Sequence, residues 1–369
     1  MTALYVGLMS GTSMDGIDAA LIDCLTQKPH LVATHSKPWP DSICLQLQQA
    51  QQLDDEAVFG LHALDRAIAV QFAEATLELL DIAGTDVREV IAIGSHGQTI
   101  RHRPQADKSF SLQLGNGQHI ADRTGIQTVS DFRSADIEAG GEGAPLATAF
   151  HNAVLRSKNE NRCVVNIGGI ANITLLPADE SRPVTGYDTG PGNNLMDGWI
   201  KQHKSQPYDN NGEWARSGQF NDALLASLKA DEYFQLPPPK STGFEYFNMD
   251  WLQQHNVDAL PAEDVQATLC ELTAATIAGA VLASETNVER VLICGGGVHN
   301  SYGLARLQSR LANIPVESTG MHGVQPDWVE AMAFAWLAQR HLDNRPGNLP
   351  SVTGARESVV LGILSTPDI

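Results

Sequence analysis

The feature that most constrains this chain is a motif used twice: an apolar strand, a glycine-centred turn, and a second apolar strand. It occurs in "LYVGLMSGTSMDGIDAALID" (4–23) and again, about 160 residues later, in "CVVNIGGIANITLL" (163–176). The strands of the first hairpin are expected over 4–9 and 17–23. Helical and strand patterns alternate after each hairpin, which is the order of an α/β chain. A short strand running into a polar loop is predicted at 90–99, further strands at 110–117 and 126–132, and helices at 54–83, 193–203, 263–286 and 327–342, from periodicity and flanking turn residues. Residue identity between the halves is negligible, so only the layout points to a duplication. Two unrelated glycine-tipped hairpins in one large α/β chain would read the same way. With 369 residues there is material for about two domains.

The loops decide what such a chain can do. Residues 10–18, "SGTSMDGID", join glycines, hydroxyls and carboxylates at one hairpin tip. Glycine lets backbone N–H groups approach a phosphate, hydroxyls donate to it, and a neighbouring carboxylate suits hydrated Mg²⁺. No G-K-[ST] follows, and a strand rather than a helix comes next, which excludes a Walker A loop and a dinucleotide fingerprint. A decorated turn remains the plain alternative.

In "YDTGPGNNLMD" (187–197), Asp188 precedes a glycine-rich turn and a helix, a suitable place for a base beside a bound anion. An Asp-Thr turn with a helix cap is the bland reading. The D-T-G triplet of aspartic proteases needs a second carboxylate sharing a proton, and no second D-[ST]-G exists here. "CGGGVHN" (294–300) strips a strand end of side chains, which admits a flat ring or a ribose or simply close packing. Further polar loops hold His96, Gln98, Thr99, Asp131, Arg133 and Lys240, groups fit for a polyhydroxylated ligand. Glu330, in the first turn of a predicted helix, is by default a partner for the helix dipole.

Charge narrows the partners. With 24 basic and 43 acidic residues the net charge is −19, which argues against nucleic acid and against an anionic membrane. No run approaches 18 apolar residues, so no membrane span is expected. Cys24, Cys44, Cys163, Cys270 and Cys294 are scattered without a C-x-x-C and read as reduced, mostly buried thiols. With no basic, apolar leader visible, a cytoplasmic location is expected.

Taken in order, "GLMSGTSMDGID", "GSHGQT", "DFR", "GGEGAPL", "NIGGIAN", "GYDTGPGN", "PKSTG", "EYFN", "CGGGVHN", "DWVEAMAFAWLA" and "GNLPSVTGA" resemble the anhydro-N-acetylmuramic acid kinase family from end to end. Glu142, where glutamine is commoner, is the one small departure. The resemblance implies an α/β, duplicated actin-like (ribonuclease H-like) ATPase fold, with two domains flanking a nucleotide- and sugar-binding cleft. The domains are expected at 1–130, joined by 345–369, and at 131–344.

It further implies ATP held by Gly11, Thr12, Ser13, Met14, Asp15, Gly16, Ile17 and Asp18, by Gly168, Gly169 and Asn172, and by Gly295, Gly296 and Gly297. Mg²⁺ is expected nearby, with Asp15 as its carboxylate. The sugar falls to His96, Gln98, Thr99, Asp131, Arg133, Gly190 and Asn193, and the base to Asp188, with Glu330 orienting water. The implied partners are ATP and a small sugar, in a homodimer. In 1,6-anhydro-N-acetylmuramic acid, O6 is locked in the anhydro bridge and has no proton to lose. The expected chemistry is therefore water attack at the anomeric carbon, activated by Asp188, with O6 released towards the γ-phosphate.

Overall fold

Two sheets repeat one topology. The computed structural model describes residues 2–11, 16–26, 28–103 and 109–368. They pack as two compact units, Met1–Val154 with Trp328–Ile369, and Leu155–Asp327.

In the first unit, β1 (Leu4–Ser10) and β2 (Gly16–Asp23) form the expected hairpin, followed by β3 (His30–Pro38), β4 (Val90–Arg103), β5 (Phe110–Leu114) and β6 (Thr128–Ser130). The sheet order is β3-β2-β1-β4-β6, with the C-terminal strand Ile363–Ser365 beyond β6 and β5 paired to β4. β1 runs antiparallel to β2 and parallel to β4, which is parallel to β6. The second unit contains β7 (Arg162–Ile167), β8 (Ile170–Leu176), β9 (Thr185–Pro191), β10 (Arg290–Cys294) and β11 (Val316–Ser318). Its order is β9-β8-β7-β10-β11, again with an antiparallel hairpin first and two parallel strands after it. The duplicated actin-like fold is therefore present in the topology, although the sequence halves share only their layout.

Alternation along β1 sets the layers of the first unit. Leu4, Val6 and Leu8 face one side and join a core with Ile68, Phe72 and Leu79 of the His62–Ala83 helix. Gly7 turns to the other side, where the Val329–Leu342 helix lies on the strands. A Cβ on Gly7 would stand 1.8 Å from the Ala331 carbonyl oxygen, and one on Gly94 of β4 would stand 2.0 Å from that of Phe334. Both glycines exist so that helix and strand backbones can touch. The helix was expected with residues 131–344, yet it packs in the first unit.

Buried Asp136 ties two glycine-rich segments together in that unit. It accepts from the Gly143 amide (2.8 Å), the Asn348 side-chain amide (2.7 Å) and the Thr353 hydroxyl (2.7 Å). This clamp explains "GGEGAPL" and "GNLPSVTGA" as structure.

In the second unit the Ala262–Ala283 helix is long and apolar enough to cross a membrane by length and composition alone, although polar residues interrupt its apolar run. Val265 to Ala278 along it are buried, so it serves as the core helix of this unit. All five cysteines are free, four buried and Cys44 half-buried.

Candidate active site

The first glycine loop is held at both flanks by two buried side chains. Ser10 directs its hydroxyl to the Gly16 carbonyl (2.6 Å) and the Gln98 side-chain carbonyl (2.7 Å), and accepts from the Trp39 indole (3.2 Å). Gln98 donates its amide to the Gly11 carbonyl (3.1 Å) and the Thr99 carbonyl (3.3 Å). Gln98, expected to contact sugar, is 0% exposed and fully engaged, so it clamps the loop instead.

Ile17 is a core residue, and Gly16 is glycine because a Cβ would meet the Lys37 carbonyl at 2.5 Å. Asp18 is half-buried and accepts from Ser36 (3.0 Å). Thr12, Ser13, Met14 and Asp15 lie outside the described residues. Gln98→Leu should strand the Gly11 and Thr99 carbonyls, cost about 2 kcal/mol in a urea titration, and raise the KM for ATP.

On the same unit, His96, Arg133 and Glu330 are linked through hydrogen bonding and charge. The Arg133 guanidinium donates to His96 Nε2 (2.9 Å), while Nδ1–H of His96 donates to the Gly97 carbonyl (2.9 Å). Burial, with the Arg133 charge second, pushes the His96 pKa down to about 3, so the ring is a neutral acceptor. Arg133 is itself lowered to about 10 by burial, with Glu330 opposing the shift. The Glu330 carboxyl reaches water but is closely surrounded by protein. That surrounding, and then the Asp18 charge, raise its pKa against the pull of Arg133.

A cavity of about 460 Å³ opens beside this group, within the size range of small-ligand sites. Its lining includes His96, Asp131, Gln113, Asn116 and Ser134, and among the described residues it has no lysine or arginine. Such walls suit a hydroxyl-rich ring better than a polyphosphate. Asp131 adopts φ 53°, and its carboxylate accepts from the Ser134 hydroxyl (2.7 Å). Ser95 also lines the cavity, and its buried hydroxyl has no hydrogen-bond partner among the described residues. Sequence reasoning passed over Ser95 although it adjoins His96. Thr99 stands just outside this lining, half-buried beside Gln113.

In the second unit the glycine turn of β7–β8 is sewn to the start of the Asn194–Lys204 helix. The Gly169 carbonyl accepts from the Gly192 and Asn194 amides (2.8 and 3.2 Å), and the Gly168 carbonyl accepts from Asn193 (2.8 Å). These amides therefore anchor the turn, rather than forming the bare anion site expected at that helix end. Asn193 also donates its side chain to the Ile167 carbonyl (3.1 Å).

Packing accounts for some of the glycines here and leaves others over. A Cβ on Gly169, Gly190, Gly295 or Gly297 would stand within 3 Å of Phe244, Phe234, Asn166 or Ile167 respectively. Gly168 and Gly296 have space around them and ordinary φ, so their bare backbone is open to a ligand.

Asp188 sits on β9 opposite Asn172 of β8. Its N–H donates to the Lys240 carbonyl (3.1 Å), its carbonyl accepts from the Tyr233 hydroxyl (2.7 Å), and its Oδ2 accepts from the Thr242 N–H (3.0 Å). It is not a helix cap, since Asn193 holds that position. Lys240 points to the Tyr233 carbonyl (2.9 Å) and over its ring, away from the role of a sugar ligand. Among the described residues no three carboxylate, histidine or cysteine groups converge as a metal cage.

A model of the family described as anhydro-N-acetylmuramic acid kinase matches residues 3–367. Proteins of that name from Xanthomonas campestris pv. campestris and Xylella fastidiosa are 50% and 49% identical to this chain, covering 98% of it and 97% and 96% of their own lengths. The one from Coxiella burnetii is 45% identical over 98% of this chain and 96% of its own.

Proposed function

Because the chain belongs to the anhydro-N-acetylmuramic acid kinase family, we propose that it opens the ring of 1,6-anhydro-N-acetylmuramic acid and phosphorylates O6 with ATP. The products are N-acetylmuramic acid 6-phosphate and ADP, and the reaction serves the reuse of cell-wall sugar in the cytoplasm. The observation that carries the reading is Asp188, a carboxylate fixed through its N–H, its carbonyl and its Oδ2 on the edge strand that adjoins the open Gly168 turn.

The roles divide by chemistry. Asp188 takes a proton from water, which attacks the anomeric carbon as the C1–O6 bond breaks. The electron pair leaving with O6 attacks the γ-phosphorus, and the bond to the ADP oxygen breaks. Gly11, Gly16, Gly168 and Gly296 offer backbone donors to ATP, while Gly295 and Gly297 shape the adenosine end. The cavity with His96 and Asp131 takes the sugar ring, and Arg133 holds the His96 tautomer. Glu330 orients water or metal.

Asp18 and Glu330 fit a hydrated Mg²⁺, because both are oxygen donors and each feels the other's charge. Mg²⁺ would neutralise phosphate charge there, keeping most of its own water, and Asp15 would join them. A homodimer completes the proposal on the strength of the family resemblance.

Turnover in ¹⁸O-water tests the reading. The label should enter the C1 hydroxyl of the phosphorylated sugar, seen by mass spectrometry and fragmentation. Label found only in free phosphate would mean ATP hydrolysis and would sink it.

A further inference from the structure

β9 is an edge strand, and edge strands fray unless their outward backbone groups find partners. At Asp188 both outward groups are captured by one segment. The Asp188 N–H donates to the Lys240 carbonyl (3.1 Å), Lys240 Nζ donates to the Tyr233 carbonyl (2.9 Å), and the Tyr233 hydroxyl donates back to the Asp188 carbonyl (2.7 Å). The three bonds close a circuit. Within it the Lys240 ammonium lies 4.6 Å from the centre of the Tyr233 ring and has no carboxylate partner among the described residues. Burial lowers the Lys240 pKa, and burial together with the Asp188 charge raises that of Tyr233, so the phenol stays a donor.

The circuit is rooted in a rigid base. Tyr233 is 3% exposed, packs edge-on against Phe247 at 5.3 Å, and donates its own N–H to Asp231 (2.9 Å), which also accepts from Trp251 (2.9 Å). From that base the chain returns through Lys240 to Thr242, whose N–H orients the Asp188 carboxylate.

We propose that Tyr233 and Lys240 are positioning residues that hold Asp188 in the geometry for proton abstraction. The inference rests on the kinase reading above, with Asp188 as base. A lysine serves at 240 because a long cationic side chain can reach the Tyr233 carbonyl while lying on the ring.

The test is a double-mutant cycle on the full chain with anhydro-N-acetylmuramic acid and MgATP, with kcat expressed per nucleotide site titrated. Tyr233→Phe and Lys240→Met should each lower kcat about tenfold, leave the KM for ATP within about twofold, and together do no more than the worse single change. Lys240→Arg, which can still donate and stack, should keep most of the activity. Unchanged kcat in Tyr233→Phe, or a multiplied loss of about a hundredfold in the double variant, would overturn the circuit. If the unaltered chain turns over the sugar and the variants match it, only this inference fails. Absence of turnover by the unaltered chain would remove the parent reading and the inference with it.

Discussion

Asp188→Asn should lower kcat by about a thousandfold while leaving the KM values for ATP and sugar within a few-fold. The physical case is narrow. Asparagine has the same shape, and its side-chain carbonyl can still accept from the Thr242 N–H, as Oδ2 does at 3.0 Å. The backbone bonds to Lys240 and Tyr233 do not involve the side chain at all. What the substitution removes is the capacity to take a proton from water. A sugar-dependent ADP-release assay reads this directly, and kcat near that of the unaltered chain would strike Asp188 from the role of base.

The second large effect is structural and begins far from that carboxylate in sequence. Gly7→Ala places a methyl 1.8 Å from the Ala331 carbonyl oxygen and 2.6 Å from the Ala335 nitrogen. Both are backbone atoms of the Val329–Leu342 helix, so no rotamer change can relieve the contact. The helix must lift, which should cost about 3 kcal/mol and roughly 10 °C in Tm. Glu330 rides on the first turn of that helix, so its electrostatic coupling to Asp18 and Arg133 should weaken and activity should fall as well. Gly60→Ala is the control, because a Cβ there meets nothing within 4 Å and should change stability by less than about 0.5 kcal/mol. If Gly7→Ala melts with the unaltered chain, the account of helix packing on β1 is wrong.

Gly7 also marks where the sequence was under-read. An isolated glycine inside an apolar strand signals close backbone approach, and both "YVGLM" and "IAIGS" carry that signal. The tips of the hairpins drew attention because polar residues cluster there, while Gly7 and Gly94 are silent by composition. Gln98 failed in the opposite direction. A polar residue in a glycine-rich loop reads as a ligand contact, but this one is fully buried and spends its groups on Ser10, Gly11 and Thr99. "GNLPSVTGA" was legible as a motif, yet its purpose depends on Asp136, more than 200 residues earlier.

What the sequence determined by itself is local in origin: two glycine-turned hairpins, the helices whose apolar periodicity marks them, and a carboxylate in a glycine-rich turn. The family followed from the order of those motifs. Strand order, the lie of the Val329–Leu342 helix on β1 and β4, the capture of Asp188 by Tyr233 and Lys240, and the sealing of Gln98 were decided only in the tertiary structure. The reason is physical. Periodicity and turn chemistry are set by neighbours along the chain, whereas burial and hydrogen-bond satisfaction depend on segments that meet only when the chain has folded.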